Sequence, residues 1–385
     1  MNLVHLRRAE WLTSDRVRGY GVIVGIASFA LLVISFLNAM GPAGTDFLAF
    51  WGAGHVTIAG DPASAYDLAV QERVQTGTGS TGWFAFVNPP PFLFAAAPFG
   101  GLPFPIAWAA WVAVTYALWA WAAIRVFPRY WPVILVFPGA LIAAGHAQTG
   151  LLTGAFLVGG VALLDKRPLT AGALLGVLII KPHLALLIPF WLAAGGRWRA
   201  FIAAGASATG LLGLAWLAFG TQTMLAYTTS WQASAALMAS DSADFYLRMA
   251  TPYSQLRLFI PPELALGINI ALAIGLIGLI ALAWRRSSDP LATGALMLAG
   301  TALASPYLFN YDLPFLILPL LWLVREGRRA GFRDWEKLAC VVLFTAPYAT
   351  RAAALPLGLN LMPLASIALV WLIWTRLGET ARTTG

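Results

Sequence analysis

The sequence predicts an all-α polytopic membrane protein with about twelve transmembrane helices, and with interfacial helices in the first outer loop. Three observations predict this class. Of the 385 residues 59% are hydrophobic and only 10% are charged, whereas soluble domains carry roughly a quarter charged residues. So little charge cannot cover a surface against water, and lipid must cover much of the outside. Apolar runs of near-spanning length recur along the whole chain. Between them Lys and Arg sit in short clusters, and 17 Trp suit anchoring at the membrane interface. The net charge of +8 therefore reads as membrane topology and not as a nucleic-acid partner.

In chain order, the candidate spans are 20–40, 103–124, 131–144, 149–164, 168–181, 183–195, 200–219, 262–284, 290–304, 313–324, 336–349 and 355–375. The first is preceded by a rather long basic stretch and followed by no small-residue cleavage site, so it reads as a retained helix and not a signal peptide. The pair 168–181 and 183–195 reads as a tight hairpin or as broken helices. The run after Pro89, Pro90 and Pro91 is too interrupted for a clean span and reads as a re-entrant or interfacial piece over 88–100. No repeat, low-complexity stretch or domain boundary stands out, so 1–385 reads as one domain. Cys340, the single cysteine, has no partner for an internal disulfide.

Orientation follows from counting. With the N-terminus in the cytoplasm and alternating spans, 19 Lys and Arg fall on the cytoplasmic side and 5 on the other, while Asp and Glu divide 8 and 8. The bias belongs to Lys and Arg, as the positive-inside rule requires. The expectation is a multi-pass protein of the inner (plasma) membrane, with both termini cytoplasmic and its working face extracytoplasmic. The five exceptions are Arg73, Lys181, Arg248, Arg257 and Arg351. Two outer segments are long, roughly 41–102 and 220–261. They are rich in Trp, Tyr, Phe, Pro and Gly instead of the polar residues of disorder, and are expected to fold back onto the membrane surface.

Candidate functional residues gather on that outer face. Asp46 follows the first span, and Phe47, Phe50, Trp51 and Gly54 then recur with helical spacing, which suggests an amphipathic helix in the interface that also carries His55. Asp46 is either the N-cap of that helix or a catalytic base at the lip of the span. Asp61 and Asp67, around Tyr66, read as a turn and a cap. Further polar residues sit in apolar surroundings: Asn88, His146 with Gln148, Lys181 with His183, Tyr311 with Asp312, and Arg351; the second long loop adds Arg248, Tyr253 and Arg257. Ionisable residues at membrane depth are costly and mark function. Lys181 is the sharpest case, and its plain alternative is a lysine snorkelling from a helix end. Cations on this face would hold a phosphate, aromatics a sugar or prenyl chain, and a carboxylate would deprotonate an acceptor hydroxyl. Lys181, His183, Arg248 and Arg257 are the candidate phosphate ligands. Trp51, His55, Tyr66, Asn88, His146, Gln148, Tyr311, Asp312 and Arg351 are candidate substrate contacts. No metal ligand and no cofactor is assigned, because a metal site usually needs two or more converging carboxylates.

In these residues the chain resembles the GT-C superfamily of membrane glycosyltransferases. More closely, it is similar to the bacterial family that includes the polyprenol-phosphate-mannose-dependent α-mannosyltransferases of phosphatidylinositol mannoside synthesis. The elements of the likeness are Asp46 with Phe50-Trp51, Gly60-Asp61-Pro62 with Tyr66-Asp67, Asn88-Pro89-Pro90, Gly145-His146-Ala147-Gln148, Lys181-Pro182-His183, and Ser305-Pro306 with Tyr311-Asp312. The resemblance implies a GT-C fold, a catalytic Asp at position 46, a polyprenyl-phosphate-linked sugar donor, a lipid or glycan acceptor, and transfer with inversion. Where the mannosyltransferase branch carries a histidine-bearing motif before a late span, this chain has Asn310-Tyr311-Asp312, which leaves the sugar and acceptor open. A secondary transporter is the rival class, but transporters place charges near the midplane and show internal repeats. A non-catalytic lipid-handling scaffold is the other, and it would tolerate loss of Asp46.

Overall fold

A computed structural model describes residues 7–239 and 243–383. The regular secondary structure of the described residues is helical, with one isolated β-bridge. In chain order the α-helices are α1 Ser14–Ala39, α2 Phe47–Ile58, α3 Leu68–Thr76, α4 Leu93–Gly100, α5 Phe104–Val126, α6 Trp131–Leu135, α7 Pro138–Gly145, α8 Gly150–Leu163, α9 Pro168–Gly176, α10 Ile188–Ala194, α11 Trp198–Ala239, α12 Ala243–Leu247, α13 Pro252–Leu256, α14 Pro262–Arg286, α15 Pro290–Ala304, α16 Ile317–Ala330, α17 Glu336–Leu357 and α18 Met362–Thr383. Among the described residues five stretches, Asp15–Ala39, Phe104–Val126, Trp198–Gln232, Pro262–Arg286 and Glu336–Leu357, are long and apolar enough to cross a membrane by length and composition. Ile23, Ile26 and Phe29 on α1 and Leu217 on α11 are exposed apolar side chains of the kind that face lipid. Shorter apolar stretches are Phe47–Ile58, Gly150–Leu163, Pro168–Ile180, Pro182–Ala194, Pro290–Ala304 and Met362–Gly378.

Proline accounts for much of the difference from the expected spans. The run 131–144 is two helices, because Phe137 precedes Pro138 and takes an extended conformation (φ −66°, ψ 119°). The pair 168–195 takes one of its two expected forms, broken helices. Both α9 and the stretch after it pass into 3₁₀ turns, Val177–Ile180 and Pro182–Ala185, and Lys181 between them is non-helical before Pro182 (φ −150°, ψ 70°). The late run divides at Gly358 and not after residue 349, since α17 continues through Pro347 and Pro356. Arg351 is thus inside a helix, not in a loop after one.

The two long outer segments also depart from expectation. Helix α11 continues past a single break at Gly220 (φ 79°, ψ 166°), so 221–239 is helix and not loop. In the first segment α2 is not an amphipathic surface helix. Phe47, Leu48, Ala49, Phe50, Gly52, Ala53, Gly54 and Val56 are all buried, and a helix apolar on every side belongs in an interior. Phe50 and Phe92 pack edge to face at 4.9 Å, and the Trp111 ring lies 5.9 Å from both Phe47 and Phe92. The 88–100 piece forms a 3₁₀ turn, Pro90–Phe92, and α4, which crosses α2 backbone to backbone. A Cβ added at Gly100 would lie 2.1 Å from the Gly54 carbonyl carbon. No side chain fits there, so Gly100→Ala should separate α2 from α4 and destabilise the protein by about 1–3 kcal/mol. A lower midpoint of thermal unfolding in detergent is the expected result.

Candidate active site

The site is built around the end of α7. Its last turn closes with Ala147 N–H donating to Ala144 O (2.9 Å) and Gln148 N–H donating to Ala143 O (3.0 Å). This is the Schellman arrangement, which requires a left-handed residue after the cap. Three other helices end with the same pair of bonds, and they use Gly60, Gly196 and Gly358 there. At α7 the left-handed residue is Ala147, with φ 45° and no exposed surface. Such a conformation costs an L-residue roughly 1–2 kcal/mol.

The turn sends three neighbouring side chains to three different partners. Gln148 Nε2 donates to Asp46 Oδ2 at 2.9 Å. Lys181 Nζ donates to Thr149 Oγ1 at 3.1 Å. His146 lies between Ile142 O, 3.0 Å from Nδ1, and Arg351 Nη2, 3.0 Å from Nε2. A carbonyl only accepts and a guanidinium only donates. Nδ1 therefore carries the proton, and Nε2 offers its lone pair to Arg351. Burial first, then the Arg351 charge, lowers the His146 pKa below its ordinary value, with Arg248 adding to the effect and the Ile142 bond and Asp46 opposing it.

Two carboxylates reach this region, in different states. Asp312 is fully buried and both its oxygens are occupied. Oδ1 pairs with the Lys181 ammonium and Oδ2 accepts from Phe309 N at 3.0 Å. Asp46 is half-buried and does not cap α2, although it stands at the cap position. Its Oδ2 is held by Gln148 and its Oδ1 has no hydrogen bond among the described residues. The Asp46 charge is felt by His146, Tyr307, Tyr311 and Arg351, so these groups surround it.

The segment after α15 forms the facing wall. Tyr311 stacks on Phe309 at 4.9 Å, lies 5.7 Å from the His146 ring, and has Lys181 Nζ 5.5 Å from its centroid. A 3₁₀ turn, Asn310–Leu316, packs against α7 and α8 so closely that a Cβ at Gly150 would lie 1.8 Å from Tyr311 O. Asn310 anchors it. Its side chain donates to Pro347 O (2.8 Å) and accepts from Asn360 Nδ2 (3.0 Å), while Asn360 N–H donates to Gln255 Oε1 (2.8 Å). Met249 bridges Phe309 in antiparallel fashion. These contacts seat the α12–α13 connection beside the site, and with it Arg248, which is exposed.

Asp46, His146, Gln148, Lys181, Arg248, Tyr311, Asp312 and Arg351 are therefore brought together. His183 flanks Lys181, with its ring 5.6 Å from Tyr307 and a buried Nε2 that lacks a hydrogen bond. Tyr66 and Asn88 are reached only indirectly: Tyr66 Oη donates to Asn88 O (2.9 Å), and Asn88 Nδ2 to Ile180 O (3.5 Å). Trp51 and His55 lie elsewhere. They stack on each other and bond Leu102 O (2.9 Å) and Gly100 O (3.1 Å), which fastens α2 to the turn after α4. Arg257 bonds Ile260 O (3.1 Å) and covers the Tyr246 ring. Asp67 caps α3 through Ala69 N (2.9 Å), and Asp61 accepts from Ser64 Oγ, the turn and cap roles their positions suggest. Sequence reasoning missed Thr149, Asn360, Gln255 and Phe309. Asn360, a polar residue at a helix break in an apolar run, carried the best signal.

The family model of glycosyltransferase family 87 matches residues 86–306, more than half of the chain. The chain belongs to glycosyltransferase family 87. No match was found among curated proteins or among solved structures. The family 87 match includes Asn88, His146, Gln148, Lys181, His183, Arg248 and Arg257, whereas Asp46, Tyr311, Asp312 and Arg351 lie on either side of it. This family 87 chain is a glycosyltransferase, and its apolar helices make it a membrane protein. Its expected mannosyltransferase assignment is finer than the family match.

Removing one partner of a buried ion pair strands the other charge, at a cost of about 3–5 kcal/mol. Lys181→Ala and Asp312→Ala should each destabilise the protein by that order, and Lys181→Met with Asp312→Leu should recover much of the loss. Thermal unfolding of the three variants in detergent measures this directly.

Proposed function

We propose that this glycosyltransferase moves a sugar, mannose foremost and another hexose or a pentose otherwise, from a polyprenyl-phosphate donor to a hydroxyl of a lipid or glycan acceptor. In this reading the chain has the GT-C architecture of about twelve crossings and partial crossings. The site faces the extracytoplasmic side of the inner membrane, with both termini in the cytoplasm. The 19-to-5 division of Lys and Arg supports the orientation.

The observation that carries the reading is the state of Asp46. A carboxylate in cap position that leaves its cap unmade, held by one side-chain amide with its second oxygen open, is suited to act as a base, and this supports the reading. As the acceptor oxygen attacks the anomeric carbon, Asp46 Oδ1 takes its proton. The new C–O bond forms on the face opposite the breaking bond to phosphate, which inverts the anomeric centre. The electron pair of the breaking bond leaves on polyprenyl phosphate, and donors aimed at that developing charge lower the barrier. Arg351 and Arg248 are suited to it, since Arg binds phosphate in a planar two-donor geometry. Lys181, committed to Thr149 and Asp312, and Arg257, committed to Ile260, are better read as supports than as the phosphate ligands first expected.

Membranes containing the protein, supplied with radiolabelled polyprenyl-phosphate mannose, provide the test. Asp46→Asn should lower transfer by roughly a hundred- to ten-thousand-fold while the folded protein persists, and Asp46→Glu should keep a fraction. Full transfer by Asp46→Asn would remove the base assignment.

A further inference from the structure

We propose that His146 is a positioning residue: as a neutral imidazole it holds Arg351 toward the donor phosphate, and it lets go when protonated. The inference rests on the assignment of Arg351 to that phosphate.

The geometry defines the role. Both ring nitrogens are used, and in opposite senses: Nδ1–H donates to Ile142 O and Nε2 accepts from Arg351 Nη2, each at 3.0 Å. The first bond runs one helical turn back within α7 and fixes the ring plane. The second crosses to α17 and is the one side-chain hydrogen bond that Arg351 makes among the described residues. Arg351 is half-buried, so its remaining donors are left for a ligand. A long side chain held at one donor has lost part of its rotamer freedom before the phosphate arrives, and preorganisation of that kind appears as affinity.

Protonation reverses the contact. An imidazolium has N–H at both positions, so Nε2 would face Arg351 as donor against donor and charge against charge. The titratable groups around the ring are Arg351 from α17, Asp46 ahead of α2, Arg248 between α12 and α13, and Tyr311 in the 310–316 turn. Two are cations that oppose protonation and one is a carboxylate that favours it. Because burial and Arg351 lower the pKa, the neutral form persists to a pH below the ordinary histidine value. The hold is therefore present at neutral pH and is lost as pH falls through the lowered pKa.

The sequence has four histidines, so ¹⁵N-histidine-labelled protein in detergent gives a resolvable spectrum, and His146→Gln identifies the signal. The Nδ1–H tautomer is expected, titrating below the ordinary value; the Nε2–H tautomer or an ordinary titration would overturn the proposal. Binding of polyprenyl phosphate, without sugar, is then measured against pH. His146→Ala should bind about ten-fold more weakly at neutral pH. His146→Gln, whose Oε1 can accept from Arg351 and does not titrate, should recover most of that affinity. Relative to wild type, which shares the ligand's own titration, it should not weaken further at acid pH. Equal binding by His146→Ala, or His146→Gln following wild type at every pH, would overturn it. In transfer assays His146→Ala should raise donor KM and also lower kcat, since Arg351 faces the charge that develops on the leaving phosphate, and His146→Gln should recover most of both. If no variant, nor wild type, transfers sugar while the spectrum and the binding behave as stated, the donor reading fails and the positioning role stands.

Discussion

The left-handed turn at Ala147 is the constraint on which the site depends. Helix α7 must stop, and the chain must then present His146, Gln148 and Thr149 to three different parts of the molecule within four residues. A Schellman ending reverses the chain that tightly, and it demands a positive φ. Glycine meets the demand elsewhere in this protein, whereas here alanine does, at a conformational cost of roughly 1–2 kcal/mol. The surrounding hydrogen bonds hold it there: Gln148 to Asp46, Thr149 to Lys181 and His146 to Arg351. Strain kept at a site by over-determined neighbours is a familiar pattern where geometry serves chemistry.

Around that turn the two carboxylates divide the work by environment. Asp312 is sealed by Lys181 and by the Phe309 amide, and joins the break after α9 to the segment after α15. Asp46 keeps one oxygen open near Tyr311 and Arg351. The same residue type is structural in one place and chemically available in the other. The difference lies in how many hydrogen bonds each has made.

Composition alone made the all-helical membrane class legible, because a chain with 10% charged residues has nothing else to cover its surface. Much of the site was legible for a related reason. Lys181, His146, Asp312 and Arg351 are polar groups that apolar surroundings would expel unless something held them. What held them was not legible. Lys181 and Asp312 are 131 residues apart, and a single sequence carries no trace of that pairing. Thr149 looked like any hydroxyl at the start of an apolar run. Trp51 and His55 were drawn in by closeness to Asp46, yet nine residues of helix put His55 roughly 13 Å along the axis from it. Helix ends were misplaced where proline either broke a run, as at Pro138, or was tolerated within one, as at Pro347.

The direct test of this account is to vary the turn itself and read transfer of sugar from the proposed donor, polyprenyl-phosphate mannose, in protein shown to be folded. Ala147→Gly meets the positive φ without strain and should retain transfer with equal or higher thermal stability. Ala147→Val, β-branched and without space, should lose most transfer even where the fold survives. A folded Ala147→Val protein that transfers at the wild-type rate would contradict the claim that this turn organises the site.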